Sequence, residues 1–147
     1  MSGMDERTRI AIEWDCARLI NLYMLRNDAG DWDGVAALFT EDGLLARPTL
    51  PEKPYVGRET ILEGFRSRPA GTVTRHVVSN IVIEVESETE ARATSVMLLY
   101  RGEATADGTL PRRNASDPLV GTFTDRLRKT AEGWRFAERR GGLDFAP

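Results

Sequence analysis

Two side chains of this sequence have the types and surroundings that proton transfer requires. Asp28 continues an apolar stripe of the first predicted helix, formed by Ile10, Trp14, Ala17, Ile20 and Met24. A carboxylate on such a face points inward, and because an unpaired buried charge is very costly, it needs a hydrogen-bond donor. His76 is the only histidine of the chain and shares one face of a predicted strand with Val78 and Val82. We therefore consider these two residues as a pair.

An Asp–His pair would act as a general base. A carboxylate bonded to one ring nitrogen fixes the tautomer and raises the basicity of the other nitrogen. That free nitrogen could remove a proton from a C–H group next to a carbonyl or a leaving group, a step that contributes ~10²–10⁴-fold to a rate. The residues alone leave other interpretations open. A buried Asp near a helix end often only caps backbone amides, and a lone strand histidine is often a satisfied core or surface side chain.

Three further residues are candidates for contacts with a substrate. Tyr23 lies on a second helical stripe with Ile12, Cys16 and Leu19, and its phenol could donate a hydrogen bond to a substrate oxygen. Core packing explains Tyr23 equally well. Asn80 shares the predicted face of His76 and could bind a polar group, although packing is the alternative. Trp32 is a core or interface aromatic residue or a substrate contact.

Helical patterns occupy the first part of the chain. The periodicity predicts helices over about Asp5–Ala29, Asp33–Phe39 and Gly57–Arg66, the first ended by Gly30 and the second capped by Asp31 or Asp33. Between the second and third helices we expect a turn at Glu41–Gly43, a short strand at Leu44–Arg47 and a stiff loop containing Pro48, Pro51 and Pro54.

From Thr74 onward the hydrophobic period changes to two. Four strands are predicted, over Arg75–Val85, Ala91–Arg101, Leu119–Lys129 and Trp134–Arg140, with a polar loop at about Gly102–Pro118. Helices followed by long antiparallel strands indicate an α+β fold. A strongly twisted sheet of this kind can wrap around a helix and leave a hollow between them.

Composition excludes several classes of function. The 147 residues, 41% hydrophobic and 29% charged, suit one globular domain, which we expect to span residues 1–147. A net charge of -3 argues against binding to nucleic acid. The single cysteine cannot form a disulfide within the chain, and together with the absence of a signal peptide or membrane span it favours a cytoplasmic location. One histidine is too few for structural zinc, and no phosphate or dinucleotide motif is present, so we expect no cofactor.

Five segments of the sequence together resemble a known family. They are Tyr23–Trp32, Ala37–Gly43, Val56–Ile61, Arg75–Asn80 and Glu132–Phe136. In this order and spacing they resemble the SnoaL-like branch of the NTF2-like superfamily from about Glu13 to Arg140. No single segment is specific, but the combination is. The resemblance implies a cone in which a curved, mixed or antiparallel sheet wraps around N-terminal helices and encloses a pocket.

Within that superfamily the chain is most similar to cofactor-free lyases: scytalone dehydratase, bile-acid dehydratase and hexachlorocyclohexane dehydrochlorinase. The resemblance implies that Asp28 and His76 form the Asp–His pair inside the cone, that Tyr23 is a pocket tyrosine and that Arg139 is a pocket arginine able to stabilise an anion. Strand parity disagrees for Arg139. If Trp134 and Phe136 face the core, an uninterrupted strand turns Arg139 outward.

We therefore expect a cofactor-independent lyase or isomerase that acts on a small, apolar, cyclic or carbonyl-containing molecule. Two alternatives remain, because a fold does not determine a function. One is a protein that only binds a hydrophobic ligand, and the other is an accessory subunit of a ring-hydroxylating oxygenase. Self-association into a homodimer or homotrimer is expected, with no nucleic-acid or membrane partner.

Overall fold

The computed structural model describes residues 3–147, which form three helices and one six-stranded sheet. The helices are α1 (Glu6–Asp28), α2 (Trp32–Ala36) and α3 (Arg58–Arg66). The strands are β1 (Phe39–Arg47), β2 (Leu50–Val56), β3 (Thr72–Val85), β4 (Glu90–Glu103), β5 (Leu119–Thr130) and β6 (Gly133–Leu143). The predicted α+β class and the curved mixed sheet packed on N-terminal helices are confirmed. In the described part of the chain, no helix is both long enough and apolar enough to cross a membrane.

Helix α1 begins at a side-chain cap and packs one apolar stripe on the sheet. The carboxylate of Asp5 accepts a hydrogen bond from the backbone N–H of Thr8 at 2.9 Å. The stripe that contains Cys16 and Tyr23 is buried along its length, whereas Trp14 on the other stripe is 71% exposed. The prediction of two buried stripes is therefore wrong for the first turns of the helix.

The sheet is open, with strand order β2-β1-β6-β5-β4-β3. Strand β1 runs parallel to β6, and every other pair of neighbours within residues 3–147 is antiparallel. The edge position of β2 explains how it contains Pro51 and Pro54, because an edge strand does not need every backbone N–H for pairing. The prediction that Pro51 and Pro54 lie in a loop is therefore wrong, because both belong to strand β2.

The region between α2 and β1 also differs from its prediction. Helix α2 ends at Ala36, three residues early, and strand β1 already begins at Phe39. The predicted turn at Glu41–Gly43 lies inside β1, where the pairing with β6 shifts register between Phe39 and Leu44. The prediction of a turn is therefore wrong, and the residues that suggested it form an irregular part of the strand.

Two further register shifts change which side chains face inward. In β3 the pairing with β4 shifts between Ser79 and Val82, and Asn80 has a φ of 53°. The residues facing α1 are therefore His76 and Val78 before the shift and Ile81 after it, so the prediction that Asn80 and Val82 share the face of His76 is wrong.

In β6 the extra residue is Ala137. Leu127 pairs with Phe136 and the preceding Arg126 pairs with Glu138, so that Ala137 has no partner on β5. This bulge lets Phe136 and Arg139 both point into the core, and both are fully buried. The parity argument that placed Arg139 on the outer face is wrong for this reason.

Candidate active site

The structure brings Asp28 and His76 into direct contact. Asp28 is the last residue of α1, and His76 lies on the inner face of β3. The Nδ1 atom of His76 is 2.5 Å from Oδ1 of Asp28, and both side chains are more than nine-tenths buried. The backbone N–H of His76 donates to Oδ2 of Asp28 at 2.7 Å, and the hydroxyl of Thr74 donates to Oδ1 at 2.9 Å. Three donors on one strand thus hold the carboxylate.

These hydrogen bonds determine the charge of Asp28 and the tautomer of His76. Burial raises the pKa of Asp28, but the hydrogen bonds from His76 and Thr74 outweigh burial and leave the pKa below its usual value. An ionised carboxylate can only accept hydrogen bonds, so Nδ1 of His76 carries a proton. In the neutral ring the unprotonated nitrogen is then Nε2, which makes no hydrogen bond to the described residues. Nε2 is therefore available as a base.

A cavity of about 230 Å³ lies beside this pair. Its volume corresponds to about eight molecules of liquid water, at ~30 Å³ each, which suits a small organic molecule. One part of the wall is apolar and comprises Pro48, Pro69, Met97, Leu99 and Phe123. The polar part comprises Tyr23, Asn27, Arg47, Thr49, Arg68, Thr72, Thr74, His76 and Arg101. Asp28 lies behind His76 and does not line the cavity.

Tyr23 lines the same cavity from α1. Its ring is packed edge-on against four phenylalanines, with centroid distances of 5.9 Å to Phe136 and 6.0 Å to Phe123 among them. Burial raises the pKa of Tyr23, although the positive charge of Arg139 acts against this effect. The phenol is therefore protonated at neutral pH and can donate a hydrogen bond into the cavity.

Arg139 lies behind the cavity wall and does not line it. Its Nη1 donates to Oδ2 of Asp125 at 2.7 Å, and neither side chain is exposed. The guanidinium carbon lies 3.8 Å from the ring centroid of Phe123 and 4.4 Å from that of Tyr23. Burial raises the pKa of Asp125 to about 6 despite the neighbouring Arg139. This placement does not support a direct contact between Arg139 and a bound molecule.

The two expected substrate contacts also lie away from this cavity. Asn80 is exposed at the bulge of β3. Trp32 stacks on Phe65 with their centroids 5.4 Å apart, and the guanidinium carbon of Arg68 lies 5.2 Å from the centroid of the Trp32 ring. Trp32 thus contributes to the site by supporting a residue of the wall. Asn80 lies away from the cavity because of the register shift in β3. Trp32 is the first residue of α2, and its ring packs on Phe65 of α3.

Sequence reasoning missed several residues of the wall, among them Arg47 and Arg68. Arg47 lies at the end of β1, and its Nη2 donates to the hydroxyl of Tyr55 at 2.5 Å. Arg68 follows α3, and its Nη1 donates to Oδ1 of the buried Asn27 at 2.8 Å. Neither arginine belongs to a motif, because the proximity of β1, α3 and α1 is a consequence of the tertiary fold. The sequence offered only a weak signal for a site at these positions: each arginine precedes a proline, one at the end of β1 and the other just after α3.

Residues 3–147 contain no group of three or more His, Cys, Asp or Glu side chains arranged to hold a metal ion. The site therefore comprises one imidazole with its carboxylate, one phenol and several arginines around a small hollow. Such a set can move a proton and stabilise negative charge on an oxygen.

Comparison with known proteins agrees with this architecture. The model of the SnoaL-like domain family matches residues 8–140. The chain belongs to the SnoaL-like domain family. The match begins in the first turn of α1 and ends in β6, so it includes every element that positions the site. The family contains catalytic and non-catalytic members, and it supports a role of the lyase or isomerase type or in ligand binding.

Solved structures similar to this SnoaL-like domain include proteins whose names refer to a dehydratase and a dehydrochlorinase. One is a candidate scytalone dehydratase from Novosphingobium aromaticivorans, with 25% identity, a TM-score of 0.78, and coverage of 96% of this chain and 89% of the other. Another is a type 2 hexachlorocyclohexane dehydrochlorinase, with 15% identity, a TM-score of 0.78, and coverage of 96% and 90%. At that identity the second likeness shows the fold alone.

A third similar protein has a name that refers to binding. The orange carotenoid-binding protein of Limnospira maxima is 40% identical over 63 residues, which are 43% of this chain. The matched part spans only 19% of that protein's length.

Proposed function

We propose that this SnoaL-like domain is a cofactor-independent lyase or isomerase that removes a proton from a C–H group of a small molecule, with His76 as the general base. Asp28 orients His76, and Tyr23 donates a hydrogen bond to a substrate oxygen. The observation that carries the proposal is the contact of 2.5 Å between Asp28 and Nδ1 of His76, which leaves Nε2 free beside the cavity. Substrates would be small apolar molecules, cyclic or containing a carbonyl.

The reaction needs no group beyond these side chains. Nε2 of His76 takes the proton from carbon, and the electron pair of the broken C–H bond moves toward the carbonyl to give an enolate. Tyr23 stabilises the negative charge on the enolate oxygen by its hydrogen bond. In an elimination, the enolate re-forms the carbonyl, a C=C bond forms and the leaving group departs with its bonding electrons. The imidazolium then returns its proton, to hydroxide if water is eliminated or to another carbon in an isomerisation.

We prefer elimination because the comparisons include a candidate dehydratase and a dehydrochlorinase that share this fold. Arg139 takes a positioning role in this proposal instead of the anion-stabilising role expected from the sequence. Its guanidinium packs on the ring of Tyr23 from the side of the core, which fixes the phenol at the cavity.

The proposal is tested without knowledge of the natural substrate by hydrogen exchange at carbon. The purified protein is incubated in D₂O with small cyclic ketones, cyclohexanone and 2-tetralone, and deuterium incorporation beside the carbonyl is followed by NMR. We expect exchange above the buffer rate, with a loss of at least ~10²-fold in His76→Gln, the range for a general base. Asp28→Asn should give an intermediate loss because the tautomer is no longer fixed. The matched control is Arg75→Gln, which changes the exposed residue between Thr74 and His76.

Equal exchange rates in the wild type and in His76→Gln, with both proteins folded by circular dichroism, would refute the proposal. Absence of exchange with both ketones in the wild type would also count against it. NMR titration of the single imidazole provides a separate check. A ring that exchanges freely with solvent and shows no coupling to the carboxylate of Asp28 contradicts a buried base.

The second candidate function is binding of an apolar ligand without chemistry. The local similarity to the carotenoid-binding protein and the partly apolar wall favour it. The cavity of about 230 Å³ lies below the range of ~300–1,000 Å³ typical of drug-sized ligand pockets, so a ligand as long as a carotenoid would not be enclosed. In this case His76→Gln changes ligand affinity only, and no deuterium enters the ketones.

We also propose self-association through the outer face of the sheet. The register places Val77, Leu98 and Val120 next to one another across β3, β4 and β5, on the face that α1 does not cover. Val77 is 45% exposed. An apolar face of this kind is typical of a protein interface. The accessory-subunit alternative has less support, because such a subunit has no need of an open cavity beside an Asp–His pair.

A further inference from the structure

The cavity wall carries an excess of positive charge. Three arginines line it, Arg47, Arg68 and Arg101, and no Asp or Glu among residues 3–147 does so. Arg101 is neutralised by Asp117: its Nη2 lies 2.8 Å from Oδ1 of a carboxylate that is itself fully buried. Asp28, a carboxylate behind the wall whose charge acts on Arg68, is already bonded to His76. Arg47 and Arg68 make no ion pair within the described part of the chain.

Both arginines are held in place by neutral groups. Arg68 donates to the amide oxygen of Asn27, and its guanidinium carbon lies 5.2 Å from the ring centroid of Trp32 and 5.1 Å from that of Phe65. Arg47 donates to the phenol of Tyr55 and lies 4.9 Å above its ring. These contacts satisfy one donor of each guanidinium and orient the planar group without cancelling its charge.

The two charges also repel each other. Burial lowers the pKa of Arg68, and the positive charge of Arg47 lowers it further. Placing two half-buried like charges at one cavity is unfavourable unless something compensates them. An anion between the two groups would remove the repulsion and use the remaining N–H donors. Planar guanidinium groups bind carboxylates with two parallel hydrogen bonds, which gives both affinity and orientation.

We propose that the small molecule bound in this cavity carries a carboxylate, held by Arg68 and Arg47, with its reacting carbon presented to His76. Only the statement that the reacting carbon is presented to His76 rests on the proposed function. The carboxylate site at Arg68 and Arg47 does not depend on it. The wall of the cavity that these groups share is partly apolar, which suits a compact carbon skeleton attached to the carboxylate. The substrate class is therefore a small cyclic or carbonyl-containing carboxylic acid, and neutral analogues of the same shape should bind worse.

The test compares benzoate with its neutral isostere benzamide by ligand-observed NMR titration of the full chain. We expect benzoate to bind the wild type at least tenfold more tightly than benzamide. Arg68→Gln should weaken benzoate at least tenfold and leave benzamide unchanged, and Arg47→Gln should weaken benzoate by a smaller factor. The matched control is Arg66→Gln, two residues away, whose exposed side chain pairs with Asp33 on the surface. That variant should bind benzoate as the wild type does.

Several results would overturn the carboxylate site. They are equal affinities for benzoate and benzamide, no detectable benzoate binding, or benzoate affinities in Arg68→Gln and Arg47→Gln that equal that of Arg66→Gln. Inorganic phosphate that binds more tightly than benzoate would overturn the choice of a carboxylate. The comparison of the two wild-type affinities remains decisive even if one arginine variant does not fold.

The failure of this inference is distinguishable from the failure of the proposed function. Benzoate binding needs no proton transfer, so His76→Gln should retain it. If benzoate discrimination is missing while His76→Gln abolishes ketone exchange, the carboxylate site is wrong and the proton-transfer function stands. If discrimination is present and exchange is absent both with these ketones and with 3-oxocyclohexanecarboxylate, a ketone that carries the carboxylate, the anion site stands and the proton-transfer function is wrong.

Discussion

The buried pair of Asp125 and Arg139 should make the stability of this protein fall as pH rises from about 4 to about 6. The ordinary pKa of an aspartate is 3.8, whereas burial raises that of Asp125 to about 6 in the folded chain. Between these two values the folded state holds a proton that the unfolded state has released. Stability therefore decreases with rising pH across this window and is constant above it, as far as this group is concerned.

The size of the effect follows from the shift. A difference of about two pKa units corresponds to ~3 kcal/mol, at ~1.4 kcal/mol per unit. Asp28 acts in the opposite direction and in a different window. Its folded pKa is lowered, so its contribution is fully present above the ordinary value of 3.8 and is lost as pH falls below it. The two groups can therefore be separated by the pH range in which each acts.

The perturbation is the double variant Asp125→Leu/Arg139→Met, which replaces the pair by apolar side chains of similar size. Urea unfolding at pH 4 and at pH 7 gives the free energy of unfolding of each protein. We expect the double variant to lose ~3 kcal/mol less than the wild type between these pH values. At pH 7 it should be as stable as the wild type or more so, because replacing a buried ion pair by packed apolar groups is often neutral or stabilising by ~1–4 kcal/mol.

The single variant Asp125→Ala provides the contrast. It leaves the charge of Arg139 without a partner between the rings of Tyr23 and Phe123, and should destabilise the protein by ~3–5 kcal/mol at pH 7. A wild type and a double variant with the same pH dependence between pH 4 and 7 would refute the reasoning about Asp125. So would a single variant as stable as the wild type.

Three further predictions concern other parts of the fold. Cys16 is fully buried, and burial raises the pKa of its thiol to about 12. Ellman's reagent should therefore not react with the native protein at pH 8, but should react fully in urea. A fast reaction with the native protein would contradict this prediction. The proposed oligomer should be reduced to a monomer by Val77→Glu in light-scattering chromatography, whereas Glu84→Gln on the same strand should leave its mass unchanged. A mass that does not change in Val77→Glu would rule out this interface. Residue 80 has a positive φ, so Asn80→Val should lower the free energy of unfolding by ~1–2 kcal/mol, while Asn80→Gly should remain within ~0.5 kcal/mol of the wild type. Equal melting temperatures for the two variants would show that the backbone at this bulge is not strained.

Local patterns in the sequence were sufficient to predict the class of fold and the existence of most elements. The helical stripe of α1 and the alternation in β3 to β6 are properties of short segments, and they depend on burial alone. The predicted Asp–His contact had two bases: an inward carboxylate requires a donor, and the resemblance to the SnoaL-like branch implies that Asp28 and His76 form a pair. The structure brings the two groups together, while the catalytic role of the pair remains a proposal.

The residues that could not be predicted depend on non-local features. A β-bulge inserts one residue and exchanges the two faces of a strand, and no sequence signal marked the bulge at Ala137 or the one at Asn80. One bulge moves Arg139 into the core, and the other moves Asn80 to the surface. Arg47 and Arg68 come together because β1 and the end of α3 meet above the last turn of α1. Such an encounter is a property of the tertiary fold.

The structural and the catalytic interpretations of Asp28 are compatible, because the same hydrogen bonds serve both. Strand β3 is an edge of the sheet, with β4 as its only strand neighbour among the described residues. Asp28 accepts from Thr74, from the backbone of His76 and from its ring, so it fastens this edge to the end of α1. A carboxylate needed only for that purpose would gain little from an imidazole with one nitrogen left beside a cavity. The unpaired Nε2 is therefore the feature that a purely structural role leaves unexplained.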